Sequence, residues 1–507
     1  MSTIREATSV RTTIKRLAVL SITVVVATAL PAPASTSRFA AWQARRDDAF
    51  ERLHVTRALV QTGGLSGAVR AAAGLANVGI DSKAPPAPGP SEPFGDLVAA
   101  VERAEETVRR AVDLAAVDPA DVQQHVTRLI EAGGGSVPAA ADAAVDQSAL
   151  YQAAFVIAAA VDQTLRSELP SGHAAGTAVT VGCEVLDQHP ALCIGGSGAN
   201  RYEKDYALLV DLGGDDVYAN SAGGADPTRN GLGVSIVLDL AGADRYETSL
   251  PAASGARAVQ GAGVAGVGML VDAGGNDTYA ATSTTGGVPA QGQGFGSLGF
   301  GMLADLAGQD SYRVASLGPA VGFSPAAGQA YGVLGAGVLV DGGGNDAYAL
   351  EALPSSSVNQ DGVLVVGKPY VQGQSFTGFP AAAVLADTAG DDIVLMQART
   401  APVADDETRP VAEPSAGVEG AGYGFLGGAS VVLTGGGKTT WTATAVARAP
   451  FGSLGADADA FGVGELGYGA LHDAGGDDAY VVEAISRAVQ RTVVRTGCGC
   501  VDALAQA

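Results

Sequence analysis

The sequence predicts an all-β repeat domain, a parallel β-solenoid or β-helix of about eight coils, preceded by a small α-helical domain. Three observations predict it. One short phrase, Asp-x-x-Gly-x-Asp-x-Tyr, recurs through the C-terminal 300 or so residues; a glycine alternation stands in front of several copies; and the composition changes near residue 180. A period of roughly 28 to 47 residues is that of a solenoid, a propeller or another array. A β-propeller is the alternative, disfavoured by the uneven spacing.

Residues 1–34 come first. Arg5, Arg11, Lys15 and Arg16 precede an apolar run from Leu17 to Leu30, and Ala32-Pro-Ala34 follows. That is the pattern of a signal peptide, so the chain is expected to be secreted, extracellular or displayed at a cell surface. An uncleaved N-terminal anchor is the alternative. The run is only 14 residues, short for a bilayer span, and no membrane helix is expected after cleavage. The formal charge is −23 and becomes −26 without residues 1–34. So acidic a chain is repelled by nucleic acid and anionic lipid, which leaves divalent cations and a cell-surface or extracellular polymer as expected partners.

Residues 35–180 read as the helical domain. Ala-rich segments bearing Glu and Arg run from Phe39 to Val60, Phe94 to Val117, Pro119 to Ala132 and Ser148 to Glu168. Asp118-Pro119 supplies a helix cap with proline in the first turn. Lys83 to Pro93 is a proline-rich linker, extended and semi-rigid.

Residues 181–484 carry the repeats. Full copies begin at Asp211, Asp239, Asp272, Asp305, Asp341 and Asp473, with second acids at Asp216, Asp244, Asp277, Asp310, Asp346 and Asp478 and closing tyrosines at 218, 246, 279, 312, 348 and 480. Two copies are worn. Asp387 and Asp392 survive beside Val394, while Thr434, Thr439 and Trp441 replace both acids and the tyrosine. Gly261-x-Gly263-x-x-Gly266-x-Gly268 precedes the third copy, and the same pattern recurs at Gly294 and Gly462. Each coil is thus expected to run as glycine-alternating segment, short apolar strand, acidic turn and a strand opening on tyrosine. Asp bonds its own backbone in turns, Gly accepts positive φ, and glycine on a strand face admits another backbone.

Residues 485–507 are expected to form a C-terminal tail holding Cys498 and Cys500. Cysteines 183 and 193 are the favoured disulfide, closing a short loop before the repeats. Cys498 and Cys500 are too close in sequence for an unstrained bridge to each other.

The repeated acids pose an electrostatic problem. Strands of neighbouring coils stack about 4.8 Å apart. Like charges at that spacing repel by about 0.9 kcal/mol per pair even in water. Cations between the coils, side chains splayed into solvent, or protonation would relieve this.

The phrases resemble the Ca²⁺-binding nonapeptides of RTX (repeats-in-toxin) β-rolls, Gly-Gly-x-Gly-x-Asp-x-apolar-x. Gly195-Gly196-Ser197-Gly198-Ala199-Asn200-Arg201-Tyr202 matches best, and Gly214, Gly242, Gly275, Gly308, Gly344, Gly390 and Gly476 stand at the family's turn glycine. The resemblance implies Ca²⁺ as cofactor, with Asp216, Asp244, Asp277, Asp310, Asp346, Asp392 and Asp478 at the metal-binding aspartate. Asp211, Asp239, Asp272, Asp305, Asp341, Asp387 and Asp473 complete the candidate metal set. These copies are not tandem, and their first position is Asp where the family has Gly.

No catalytic constellation stands out. Gly261-Ala-Gly263-Val-Ala-Gly266 fits a dinucleotide fingerprint, but a strand and turn follow where a helix is needed. His472 reads as an exposed turn residue. The expected function is therefore a non-catalytic structural or binding protein. The alternative is a carbohydrate-active β-helix enzyme of the polysaccharide lyase or glycosidase type, a reading that rests on fold analogy.

Overall fold

The computed structural model describes residues 12–15, 35–81, 94–114, 118, 145–167 and 192–505, apart from stretches of the connections at 251–257, 285–289, 318–322, 354–356, 359–363, 366–367, 374, 379–380, 401–414, 426, 450–453, 466–467 and 489–498. Linker residues 83–93, Cys183, Cys498 and the segment Pro119 to Ala132 lie outside the described residues.

The repeat region is a stack of parallel sheets, consistent with a solenoid. The chain visits four of them in turn. One coil runs through Gly263–Val264, Val267–Asp272, Thr278–Ser283 and Ala290–Gly292 before Gly296–Ser297 begins the next. A nine-stranded sheet collects the apolar strands that end on the first Asp, in register from Asp211 through Asp239, Asp272, Asp305 and Asp341 to Asp387. Another sheet collects the tyrosine strands, in register from Tyr202 through Tyr218, Tyr246, Tyr279, Tyr312 and Tyr348 to Val394, Trp441 and Tyr480. Propeller blades are separate sheets of about four strands, whereas these sheets run the length of the stack.

Nine coils therefore contribute tyrosine-position strands, one more than the phrase count gives. Asn200 and Tyr202 open the series at a copy lacking the leading Asp. Thr12–Lys15 adds an antiparallel strand at the opposite edge of the tyrosine sheet. Gly499–Ala505 pairs in parallel with Leu454–Ala460, so a further sheet extends into the expected tail.

The glycine alternation serves close backbone crossing. A Cβ on Gly268 would lie 2.0 Å from the carbonyl oxygen of Ala262, and one on Gly301 would lie 2.1 Å from that of Phe295. At these corners only hydrogen fits.

Three helices are seen among the described residues: α1 (Ser35–Leu75), α2 (Gly95–Ala111) and α3 (Gln147–Arg166). The span α1 is two helical segments joined at Gly64, whose φ of 63° and ψ of −155° are not helical, so the first segment ends close to the expected Val60 and a second, which the sequence reading did not foresee, continues to Leu75. Asp162 on α3 holds that kink, accepting hydrogen bonds from the backbone N–H of Leu65 at 2.9 Å and of Ser66 at 3.0 Å and from the Ser66 hydroxyl at 2.7 Å. None of the described helices is long and apolar enough to cross a membrane.

The helices pack along the flank of the nine-stranded sheet. Its outward residues, among them Ile236, Met269, Met302, Val338 and Val384, join the helical side chains in one core, while Leu209, Val237, Leu270, Leu303, Leu339 and Leu385 point inward with the tyrosines. Tyr151 of α3 meets Phe300 edge-on at 5.5 Å and donates to the carbonyl of Gly335. A strand buried on both faces needs an unbroken apolar run, which is why Met269-Leu270-Val271 shows no alternation.

The helical layer corrects the reading of His472. It is buried, 9% exposed, and its Nε2 lies 3.0 Å from Nη1 of Arg57 on α1. Burial and then the Arg57 charge lower its pKa.

Candidate metal centre

From Asp211 to Asp387 each first-position Asp ends an apolar strand and turns inward at the corner before the tyrosine strand. From Asp211 to Asp392 both acids of each copy are buried, none more than 4% exposed. Splaying into solvent is therefore ruled out as the relief of their repulsion.

The first acid is held by two kinds of donor. Its Oδ1 accepts from the backbone N–H two residues on, as at Asp211 from Gly213 at 2.7 Å, Asp272 from Gly274 at 2.9 Å and Asp341 from Gly343 at 2.7 Å. This is the Asx turn that the phrase predicts. Its Oδ2 accepts from the tyrosine of the preceding coil: Tyr246 donates to Asp272 at 2.8 Å, Tyr279 to Asp305 at 2.8 Å and Tyr312 to Asp341 at 2.7 Å, and Tyr202 and Tyr218 bond likewise to Asp211 and Asp239. Between hydroxyls the rings stack nearly face to face, with centroids 4.4–4.9 Å apart from Tyr202 to Tyr348.

The second acid ties coils together through the backbone. Oδ1 of Asp244, Asp277, Asp310 and Asp346 each accepts, at 2.6 Å, from the N–H of the second acid one coil earlier. The other oxygen has no such bond. Oδ2 of Asp216, Asp244, Asp277, Asp310 and Asp346, and Oδ1 of Asp387, are buried without a hydrogen-bond partner among the described residues. A buried polar atom left so costs about 1–3 kcal/mol, more if charged.

Burial, chiefly, and the neighbouring acids push these carboxyls up. Asp216 and Asp277 rise to about 8, Asp244 and Asp346 to about 7, Asp310 to about 6, Asp387 to about 9 and Asp305 to about 10. Asp211, Asp239, Asp272, Asp341 and Asp392 are raised as well, first by burial. Each corner thus calls for positive charge: a proton or a metal ion.

Five groups of three carboxylates converge among the described residues, with ligand oxygens within 4.8 Å of one another. They are Asp211/Asp216/Asp239, Asp239/Asp244/Asp272, Asp272/Asp277/Asp305, Asp310/Asp341/Asp346 and Asp346/Asp387/Asp392. Every group includes an acid with an unpartnered oxygen. Twelve of the fourteen sequence candidates are brought together in this way. Asp473 and Asp478 are not, because Thr434 and Thr439 stand between them and Asp392. Asp473 accepts from Tyr480 at 2.6 Å, and Asp478 accepts from the N–H of Thr439 at 2.8 Å.

Both ends of the buried acidic column carry neutral residues. Asn200 stands at the second-acid position of the first coil and donates through Nδ2 to Asp211 at 3.2 Å. Thr434 and Thr439 close the far end. A second buried series, Gln260, Gln293 and Gln329, escaped the sequence reading. All three take left-handed φ of 52–56°, and their amides donate to the carbonyls of Tyr246, Tyr279 and Tyr312. Their places, about 33 to 36 residues apart and just ahead of Gly261, Gly294 and Ala330, were the available signal.

Cys193 is disulfide-bonded, and Cys500 lies in the strand paired through Gly455. No family model, curated protein or solved structure matches the chain.

Proposed function

We propose that the protein is an exported, non-catalytic β-solenoid that serves as an extracellular structural or binding scaffold, stabilised by Ca²⁺ within its column of aspartates. The carrying observation is the inward aim of the repeated acids. They bond to tyrosine and backbone inside the stack instead of lining a groove, and one oxygen per corner stays unpartnered. Such a constellation supports a backbone and does not act on a substrate. Ca²⁺ suits it, since this ion takes six to eight oxygens from carboxylates, turn carbonyls and water. Recognition of a cell-surface or extracellular polymer would fall to the connections after each tyrosine strand, which vary in length and stand outside the repeat register.

Thermal unfolding with Ca²⁺ and with chelator tests the reading. A single site at 100 times its Kd adds about 2.7 kcal/mol, so several sites should raise the midpoint by 10 °C or more. An unchanged midpoint and no heat of Ca²⁺ binding in calorimetry would remove the metal. Recovery of the protein only from the cytoplasm of its source cells would remove the export.

A further inference from the structure

Resting on the calcium reading, the geometry points to a single file of five divalent cations in two blocks, in which Asp239, Asp272 and Asp346 each bridge two ions. The convergent groups overlap. Asp239 belongs to the first and second, Asp272 to the second and third, and Asp346 to the fourth and fifth, whereas no acid belongs to both the third and the fourth, which meet through the contact of Asp305 with Asp310. The first block runs from Asp211 to Asp305 and the second from Asp310 to Asp392.

Charge and spacing fit this arrangement. The first block holds seven carboxylates, so three dications offset six charges; the second holds five, so two dications offset four. Each block keeps a single negative charge inside an apolar stack. Successive groups lie one coil apart, about 4.8 Å. That is somewhat longer than the roughly 3.5–4 Å between ions in two-metal sites. The unpartnered oxygens of Asp216, Asp244, Asp277, Asp310, Asp346 and Asp387 supply each group with at least one acceptor that no protein donor occupies. Asn200 at one end, and Thr434 and Thr439 at the other, add no charge and bound the file.

Sharing makes a prediction that separate sites do not. The full-length protein is stripped with chelator, reloaded with CaCl₂ and desalted, and bound Ca²⁺ is counted by elemental analysis and native mass spectrometry. The wild type should hold five ions. Asp272→Asn and Asp346→Asn should each lose two and keep three. Asp305→Asn and Asp310→Asn, each in one group only, should lose one and keep four. Circular dichroism identifies any variant that fails to fold, and each block provides one shared and one unshared position. Equal losses from shared and unshared positions, or a wild-type count of one or two, overturn the file and leave the calcium reading standing. A count of zero overturns both and assigns the corners to protons.

Discussion

Without metal, this protein should lose stability as pH rises from 5 to 8, the reverse of ordinary acid denaturation. In the fold Asp310 titrates near 6, Asp244 and Asp346 near 7, and Asp216 and Asp277 near 8, while an unfolded Asp titrates near 3.9. A carboxyl whose folded pKa is raised keeps its proton in the native state after the unfolded chain has released its own. Its contribution is therefore complete below about pH 4 and is lost as pH climbs through the folded value. The slope is about 1.4 kcal/mol per pH unit for each proton so retained. For Asp244 the interval is about three units, or about 4 kcal/mol. At roughly 2–4 °C per kcal/mol for a large domain, one retained proton lowers the midpoint by about 3–6 °C per pH unit. Since neighbouring carboxylates repel, each ionisation hinders the next and spreads the loss toward alkaline pH. Ca²⁺ replaces the protons, so the gap between midpoints with Ca²⁺ and with chelator should widen as pH rises. Differential scanning calorimetry at pH 5, 6, 7 and 8 with chelator measures the slope. A midpoint that is flat or rises over that range refutes the inward, proton-demanding column.

Three further outcomes follow from particular contacts. Tyr279→Phe keeps the ring stack but removes the donor to Asp305, and urea unfolding should show a loss of about 1.5–3 kcal/mol, against about 3–5 for Tyr279→Ala, which also empties the stack. Gly301→Ala drives a Cβ into the Phe295 carbonyl and should abolish the cooperative transition or lower its midpoint steeply, whereas Gly74→Ala, with open space around its Cβ, should gain about 0.5–1 kcal/mol. Asp162→Ala strips three acceptor contacts from the α1 kink; hydrogen exchange should quicken at Leu65 and Ser66 while the tyrosine strands stay protected.

What was legible in the sequence is what the backbone repeats. Asp211 to Tyr218 and its copies encode turn, period and register because an Asx turn needs Asp and a tight corner needs Gly, at fixed offsets. The first coil was harder to count, since Asn200 lends the same turn chemistry without the paired acid. The direction of the acids was not legible at all: a turn aspartate is as often solvated as buried, and only the stacked Tyr hydroxyls one coil away decide the matter. Residues far apart in sequence likewise hid the lengthwise docking of the helices. His472 reads as a turn residue until Arg57, 415 positions away, covers it. The Gln260 series was obscure because glutamine at positive φ is uncommon and follows no general turn rule.

The one-coil offset between tyrosine and aspartate bears on how the stack ends. The rungs from Tyr202 to Tyr348 hand a hydroxyl forward, so a stack truncated among them would present a donor awaiting another chain. Tyr348 already shares its hydroxyl with Asp341 of its own copy, and at the last tyrosine strand Tyr480 donates to Asp473 of its own copy. The terminal tyrosine thus offers no free hydroxyl to a newcomer. Repeat proteins risk polymerising end to end through open edges; here the last tyrosine spends its hydroxyl inside its own copy, which withholds from a neighbouring molecule the donor that the other rungs pass along the stack.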